Sequence, residues 1–208
     1  MNDDRHSALS TQHSALASSH PALIVVDVQR AIDDPSWGDD RNNPDCEANI
    51  ARLLASWRSH GWPVFHVRHL SREPQSTYRP GQPLCEFKDE ARPLAGERII
   101  DKSTNSAFIG TTLEHELRDA GIERVVIAGV ITNNSVEATA RMAGNLGFET
   151  IVVSDATATF GRRDFDGHWR TAAEVHAMSL ANLAGEYATV LPTTEVIDTI
   201  QLYSVSGS

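Results

Sequence analysis

The feature that most constrains the fold is a regular alternation, from Pro21 onward, between short segments rich in Val and Ile and longer segments with helical periodicity. The short segments are 22–28, 63–68, 97–101, 124–130, 149–154 and 187–191. Their largely continuous apolar character is typical of strands that are buried on both faces of a sheet. Strands that alternate with helices build parallel sheets, because each crossover helix returns the chain to the same edge. The sequence therefore predicts an α/β fold with a parallel sheet and helices packed against it.

The segments between the predicted strands carry the spacing of amphipathic helices. Ile50, Leu53, Leu54 and Trp57 fall at positions i, i+3, i+4 and i+7, and Gly61 ends that run. A second helix is predicted to begin at a capping box formed by Thr111 and Glu114 and to end at Gly121. Two more are predicted over about 133–147 and roughly 168–184, and a short one after Pro192. The long segment 70–95 is interrupted by prolines and a glycine, so we predict an irregular loop that forms a wall or lid of a pocket.

Length and charge limit the organisation of the chain and its partners. A chain of 208 residues, 40% of them apolar, is long enough to bury one full core, and we assign residues 21–208 to one domain. Residues 1–20, which contain the tetrapeptide HSAL twice, are predicted to form a flexible tail. The net charge of −10, from 18 basic and 28 acidic residues, argues against nucleic acid as a partner.

Cysteine usage and hydropathy predict where the protein works. Cys46 and Cys85 lack the spacing of a disulfide framework or of a metal site, which favours a reducing compartment. No apolar segment approaches the roughly 18–20 residues that span a bilayer, and the first residues lack a basic region followed by an apolar core. We therefore expect a soluble, cytoplasmic protein with no membrane partner.

Three polar residues follow predicted strands at the edge of the sheet where ligands bind in open parallel sheets. Asp27 ends the first strand, Lys102 ends the third, and Ser135 follows the fourth at the start of a helix. Each has an ordinary structural explanation as a turn residue, a solvated lysine or a helix cap. Together they bring an acid, a base and a hydroxyl to one edge. From the residues alone, the structural and the catalytic interpretations stay equally open.

Several ordered motifs resemble those of one enzyme family. IVVDVQ, then DKSTNSAF, then GVITNNSVEATARMAGNLGF, then VVSDATAT are similar to the isochorismatase-like superfamily of hydrolases, specifically its cysteine-hydrolase group, which includes nicotinamidases and other amidases. The resemblance covers about residues 21–200. It implies an isochorismatase-like, Rossmann-like fold, a three-layer sandwich around a parallel six-stranded sheet. It also implies a homo-oligomer, a dimer or a tetramer, that acts on a small-molecule amide.

The resemblance assigns catalytic roles by position. Asp27 takes the position of the family's acid/base, Lys102 that of its lysine, and Ser135 that of its nucleophilic cysteine. It further implies a cis peptide bond between Val130 and Ile131. That bond would turn the backbone N–H of Ile131 toward the site, where it forms an oxyanion hole with the N–H of Ser135.

Ser135 is where the sequence departs from the family pattern. A cysteine thiol at a helix N-terminus beside an ammonium loses its proton readily, whereas a serine hydroxyl is far less acidic and depends on a strong general base. Two explanations stay open. Ser135 is a native residue that gives low activity, or it replaces a cysteine by design.

Other side chains are assigned more loosely. The residues expected to border the substrate are Gln29, Trp37, Asn105, Phe108, Asn134 and Phe160, which all follow strands or flank the three reactive positions. We expect no cofactor and no metal, because the family's metal motif begins with an acid that is missing from His66-Val67-Arg68-His69. Instead, His66 is predicted to pack within its strand, with Arg68 or His69 at the pocket rim. His176 is predicted to be a core or interface residue, and Asp155 is predicted to cap the turn that follows it.

Three hypotheses for the function result. The first is a hydrolase of a small amide, a C–N bond other than a peptide bond. The second is an isochorismatase that cleaves a vinyl ether by protonation without a covalent intermediate. The third is a binding or scaffold protein that keeps the fold but is catalytically inactive.

Overall fold

The computed structural model describes residues 20–206 and, in the last helix, the side chains up to residue 199. Apart from His20, the predicted flexible tail, residues 1–20, lies outside the described residues. The six predicted strands all form. They are β1 (Ala22–Val26), β2 (Val64–His69), β3 (Arg98–Lys102), β4 (Arg124–Val130), β5 (Glu149–Ala158) and β8 (Thr189–Leu191). Between β5 and β8, two short strands, β6 (Arg162–Arg163) and β7 (Trp169–Arg170), form a separate antiparallel ribbon.

The six main strands pair in the order β3-β2-β1-β4-β5-β8, and every pair is parallel. The chain therefore lays down β1, β2 and β3 in one direction and then returns to the other side of β1 for β4, β5 and β8. The strand order reverses between β1 and β4. In open α/β sheets the carboxyl ends at such a point form a crevice, so the fold directs attention to the residues after β1 and β4.

Residues 20–206 contain five α-helices, of which four connect strands and the last follows β8. They are α1 (Cys46–His60), α2 (Leu113–Asp119), α3 (Glu137–Asn145), α4 (Ala172–Leu183) and α5 (Thr193–Ser206). The first ends where the sequence predicts, because Gly61 adopts a left-handed conformation with φ of 66° and caps the last turn. Single 3₁₀ turns lie at Arg30–Asp33, Pro35–Trp37, Pro83–Cys85 and Asp89–Ala91.

The helices cover both faces of the sheet, which gives three layers. β1 is buried along its whole length, and its side chains alternate between two separate cores. On one face, Leu23 and Val25 pack with apolar side chains of α1 and α5. On the other, Ile24 and Val26 pack with apolar side chains of α2, α3 and α4. Strands buried on both faces explain the continuous apolar runs of the sequence.

One glycine lets β4 approach β1 just before the carboxyl edge of the sheet. Gly129 has φ of 128°, a conformation that side chains rarely tolerate. A Cβ atom at this position would collide with the backbone of Val26. The register between β4 and β5 also shifts between Ile127 and Gly129. The end of β4 therefore lies close against the end of β1, and Asp27 is the first residue after β1.

Three local predictions about the helices were wrong. Thr111 and Glu114 form no capping box, because the Thr111 hydroxyl donates to the carbonyl of Ala107 at 2.5 Å while Glu114 binds Arg118. The helix predicted over 168–184 begins at Ala172, since residues 169–170 pair with 162–163 in the ribbon. The helix after Pro192 is not short but runs for 14 residues.

Candidate active site

Asp27 is placed by the end of β1. Its backbone N–H donates to the carbonyl of Val67 at 2.9 Å, and its φ of 55° lies in the left-handed region. Non-glycine residues seldom adopt this conformation outside turns and functional sites. The residue is only 3% exposed. The chain thus bends sharply at Asp27 and leaves its carboxylate inside the protein at the carboxyl edge of the sheet.

Lys102 reaches Asp27 from two strands away. Neighbouring strands lie about 4.8 Å apart, so β3 is about 10 Å from β1 and only a long side chain can span the gap. The ammonium of Lys102 donates to Oδ2 of Asp27 at 2.6 Å. It also lies 3.1 Å from the carbonyl of Thr104 and 3.4 Å from Nδ1 of His69, the residue that pairs with Lys102 across β2 and β3.

Ser135 lies on a single π-helical turn, Thr132–Val136, between β4 and α3. The peptide bond between Val130 and Ile131 is cis, as the resemblance implies. The wide turn closes through a hydrogen bond of 3.3 Å from the N–H of Val136 to the carbonyl of Ile131. It carries the Ser135 hydroxyl to 3.2 Å from the ammonium of Lys102. The structure therefore brings together the acid, the lysine and the serine that the sequence singles out.

The electrostatics of this cluster are dominated by burial. Removal from water raises the pKa of the Asp27 carboxyl above its ordinary value, and the neighbouring ammonium of Lys102 only partly opposes this. One carboxylate oxygen, Oδ1, is buried and accepts no hydrogen bond within the described part of the chain. Asp27 is consequently more basic than an exposed aspartate and keeps a free oxygen for a proton.

A cavity of about 180 Å³ opens onto the cluster. Of the residues expected to border a substrate, Trp37, Asn105 and Asn134 line it. The remaining lining residues are Asp27, His69, Ser76, Tyr78, Val130, Ile131 and Ser135. The volume suits a compact molecule, and the mixture of aromatic rings with a few polar groups is typical of small-molecule sites.

The other three expected substrate contacts lie elsewhere. Gln29 is fully buried, and its side-chain amide bonds the backbone of His69 and Cys85, so it holds the end of β2 against the 70–95 loop. Phe108 packs in the core, stacked on Phe148. Phe160 stacks behind Trp37 with ring centroids 5.6 Å apart and supports that wall from the outside.

Three lining residues are not among the substrate contacts predicted from the sequence. The sequence predicts Arg68 or His69 at the pocket rim. His69, the last residue of β2, lies opposite Lys102 and forms part of the cavity wall. Ser76 and Tyr78 come from the 70–95 loop, which confirms that this loop forms a wall of the pocket. Tyr78 is buried, with its ring edge-on to His69 at 5.5 Å. No periodicity marks these loop residues, because a long irregular connection positions them.

The turn Thr132–Val136, which carries Ser135, is held by contacts with α4. Nδ1 of His176 lies 3.0 Å from the hydroxyl of Thr132, and the hydroxyl of Ser179 donates to the carbonyl of Thr132 at 3.3 Å. Burial lowers the pKa of His176, which favours its neutral form. Asp155 lies within β5 and accepts two bonds of 2.7 Å from the N–H and the hydroxyl of Thr193 at the start of α5, so the prediction that it caps the turn after it was wrong.

The described histidines and acids do not form a metal centre. His66 is buried within its strand, as predicted, and its Nε2 lies 2.8 Å from Oε2 of Glu97. Across residues 20–206, no group of three or more His, Cys, Asp or Glu side chains is arranged to hold a metal ion. Each helix in that range is too short or too polar to cross a membrane.

Comparison with known proteins gives a consistent result. The family model described as Isochorismatase domain matches residues 21–195. The isochorismatase family protein YrdC of Bacillus subtilis, itself uncharacterised, is 46% identical over 177 residues, which are 85% of this chain and 94% of that protein. Nicotinamidase 3 of Arabidopsis thaliana is 37% identical over 153 residues, 67% of this chain and 72% of that enzyme. A crystal structure from Chromobacterium violaceum, assigned to the isochorismatase family, is 54% identical with a TM-score of 0.84 and covers 88% of this chain and 94% of its own.

Proposed function

The chain belongs to the isochorismatase family of hydrolases, and from that premise we propose that it hydrolyses a small amide with Asp27, Lys102 and Ser135 as its reactive groups. A nicotinamidase among its relatives supports cleavage of a C–N bond. The observation that carries the proposal is the free, buried Oδ1 of Asp27 beside a lysine that also binds the Ser135 hydroxyl.

In the proposed reaction, Oγ of Ser135 attacks the amide carbonyl carbon while Asp27 takes the hydroxyl proton. The backbone N–H groups of Ile131 and Ser135 stabilise the resulting oxyanion. Asp27 returns the proton to the nitrogen as the C–N bond breaks, which releases an amine or ammonia and leaves an ester on Ser135. Water then attacks the ester, with Asp27 again moving the proton, and the carboxylic acid departs. Lys102 holds Asp27 and the hydroxyl in place and balances the negative charge.

The cavity favours an uncharged substrate. The residues that line it include no arginine and no lysine, and the ammonium of Lys102 is already engaged by Asp27. A carboxylate on the substrate would lose its hydrating water on binding and would find no cation to pair with. Burial of such an unpaired charge costs much free energy. The cavity therefore favours neutral amides over substrates that bear a carboxylate.

The decisive experiment compares the protein as it stands with Ser135→Cys on a panel of compact amides, half of them neutral and half bearing a carboxylate. We expect Ser135→Cys to hydrolyse neutral amides faster, because the same surroundings lower the pKa of a thiol into the reactive range. Mass spectrometry should then detect an acyl adduct of the cysteine with a slow substrate.

Asp27→Asn in the Ser135→Cys background tests the acid. Loss of a general acid–base group should lower kcat/KM by about 100- to 10,000-fold. Asp101→Asn is the matched control, since this neighbouring acid is exposed and bound to Arg68. If Ser135→Cys turned over no amide and formed no adduct, the amidase proposal would be wrong, and the vinyl-ether reaction and the inactive scaffold would remain.

A second candidate function, cleavage of a vinyl ether, is favoured by the serine that stands at position 135 in place of a cysteine. A carboxyl with a raised pKa can also act as a general acid, and protonation of a vinyl ether needs no thiol. Hydrolysis of isochorismate by the unaltered protein, without any acyl adduct, would favour this reaction.

We also propose that the protein acts in the cytoplasm. Cys46 and Cys85 are both buried as free thiols, and neither has a disulfide partner among the described residues. Burial raises the pKa of the Cys46 thiol, which makes it unreactive. Such cysteines are typical of proteins in reducing compartments.

A further inference from the structure

Tyr78 lines the catalytic cavity, yet its phenolic hydroxyl has no role in the proposed reaction. The residue is only 8% exposed. Its backbone N–H donates to Oγ of Ser76 at 3.1 Å, and its carbonyl accepts from the N–H of Ser71 at 3.1 Å and from Sγ of Cys85 at 3.4 Å. Within the described part of the chain, no group forms a hydrogen bond with the hydroxyl. The hydroxyl of a buried tyrosine usually has a partner, because an unpaired polar atom in the interior costs free energy.

The loop that carries Tyr78 is held in place by two glutamine side chains. The amide of Gln82 donates to the carbonyls of Ser76 and Thr77 at 2.9 and 2.8 Å, directly before Tyr78. The amide of Gln29 ties the end of β2 to the same loop. The phenol is therefore presented from a fixed position, which lowers the free-energy cost of ordering the loop when a ligand binds.

Two aromatic neighbours orient the ring of Tyr78. The ring lies at a steep angle to that of His69, with centroids 5.5 Å apart, and to that of Trp37, with centroids 6.5 Å apart. Nδ1 of His69 in turn lies 3.4 Å from the ammonium of Lys102. Tyr78 is thus one side chain away from the catalytic lysine. A compact molecule whose amide lies beside Asp27 can reach the phenol with another of its groups.

The hydroxyl of Tyr78 is a hydrogen-bond donor and not a charged group. Burial, together with the negative charges of Asp27 and Asp33, raises the pKa of the phenol, so the hydroxyl keeps its proton. A group that pairs with this donor must be an acceptor. The same two carboxylates would repel a negatively charged acceptor, which favours a neutral oxygen or nitrogen.

The acceptor is not part of the amide that is cleaved. In the proposed reaction the amide carbonyl lies between the N–H groups of Ile131 and Ser135, and the amide nitrogen receives its proton from Asp27. Neither atom needs the phenol of Tyr78. The acceptor therefore belongs to the rest of the substrate.

The other polar side chains in the cavity wall are satisfied in simpler ways. The indole N–H of Trp37 donates to a backbone carbonyl at 2.9 Å, so this residue offers only the face of its ring. Asn105 is exposed, and Ser76 and Asn134 are half-buried, so water can reach them. Tyr78 combines burial with an unpaired donor, and this combination points to a ligand.

We propose that the Tyr78 hydroxyl donates a hydrogen bond to a neutral acceptor elsewhere on the substrate, and so selects amides that carry a second oxygen or nitrogen acceptor. The inference rests on the proposed function for the class of substrate and adds the group that chooses among its members. A site built around a hydrogen bond discriminates against ligands without the matching partner, because they leave the buried group unpaired. Tyr78 is thereby a specificity-determining residue.

The test compares the binding of paired amides that match in size and differ by one acceptor. Methoxyacetamide is paired with butanamide, in which a methylene replaces the ether oxygen. The isomers of pyridinecarboxamide are paired with benzamide, in which a C–H replaces the ring nitrogen. Calorimetric titration of the unaltered chain gives the dissociation constants without any need for turnover. We expect tighter binding of at least one acceptor-bearing amide than of its partner, and Tyr78→Phe should weaken that binding by about 3- to 10-fold and remove the preference.

Tyr187→Phe is the matched control, because it removes the same hydroxyl from a tyrosine outside the cavity, whose ring lies 4.8 Å from the guanidinium of Arg141. It should leave the affinity for both members of a pair unchanged. A second readout needs no ligand. Tyr78→Phe should keep or raise the urea midpoint of unfolding, because the hydroxyl has no hydrogen bond within the described part of the chain to lose.

Three results would overturn the inference. The unaltered chain would show no preference for any acceptor-bearing amide, Tyr78→Phe would weaken the binding of both members of a pair equally, or Tyr78→Phe would lower the urea midpoint and so reveal a partner within the protein. Failure of the proposed function looks different. Ser135→Cys would then turn over no amide, whereas the binding preference and its loss in Tyr78→Phe would still be observed.

Discussion

Two acid–base pairs share strand β3, where Asp101 and Lys102 are adjacent residues, and the two pairs have opposite characters. On β2 and β3, Arg68 pairs with Asp101 across the ladder, and the next residue of β3 is Lys102, which reaches Asp27. The distances are similar, 2.7 Å for the arginine pair and 2.6 Å for the lysine pair. The exposure of the side chains differs. Arg68 and Asp101 are 29% and 44% exposed, whereas Lys102 and Asp27 are 0% and 5% exposed.

This difference decides which force sets the ionisation of each group. In the exposed pair, the hydrogen bond from Arg68 to Asp101 is the main effect, and it raises the pKa of the guanidinium. In the buried pair, loss of water is the main effect, and it raises the pKa of the Asp27 carboxyl against the pull of Lys102. Burial thus changes a surface contact into a proton-accepting site, although the chemical groups hardly differ.

The largest effect should follow from removal of the buried cation. Lys102→Met leaves Asp27 buried with no positive charge, so we expect the free energy of unfolding to fall by about 3–5 kcal/mol at neutral pH. Urea denaturation followed by circular dichroism measures it. The double variant Lys102→Met with Asp27→Asn should recover most of the loss, because no charge is then buried. A loss below about 1 kcal/mol for Lys102→Met would mean that water reaches the pair and that the burial described above is not maintained in solution.

The fold and the convergence of the candidate site residues could be predicted from the sequence for the same physical reason. Buried parallel strands must be apolar, and their carboxyl ends must meet at one edge, so Asp27, Lys102 and Ser135 converge once the strands are recognised. The turn after β4 and the cap at Gly61 are also local features that a few neighbouring residues determine.

The pocket walls could not be predicted in the same way. Gln29 and Phe160 follow strands, as substrate-binding residues often do, yet one ties two backbone segments together and the other supports Trp37. Tyr78 comes from a loop with no periodicity, and its ring packs edge-on against Trp37, which lies far away in the sequence. Local spacing therefore identifies the edge where chemistry occurs, whereas tertiary packing selects the side chains that shape it.

Glu97 lies between the two pairs in exposure and should give an intermediate effect. Partial burial opposes its ionisation, but hydrogen bonds from Arg58, the N–H of Leu94 and His66 outweigh this and lower its pKa from 4.5 to about 2. A lowered pKa contributes stability that is present above 4.5 and is lost as the pH falls through about 2. With solvent screening, Glu97→Gln should cost about 1–2 kcal/mol at pH 7, and this difference should shrink below pH 4.5.

Urea denaturation of Glu97→Gln and of the unaltered chain at pH 7, 5 and 3.5 measures that change. Glu114→Gln is the matched control, because Glu114 binds Arg118 on an exposed helix surface and should give a small difference. A cost for Glu97→Gln that stays constant over this pH range would contradict the ionic origin of the effect and point to packing.

The smallest effect should come from the exposed pair, and it completes the comparison. Arg68→Met and Asp101→Asn should each change the free energy of unfolding by less than about 1 kcal/mol, because water screens the charges and the side chains lose freedom when they pair. The double variant should show a coupling energy that falls as salt is added, measured by urea denaturation at low and high ionic strength. Since neither residue lines the cavity, kcat/KM of the Ser135→Cys form should stay unchanged. A coupling comparable to that of Lys102 and Asp27 would show that burial is not what separates the two pairs, and the basicity of Asp27 would then need another cause.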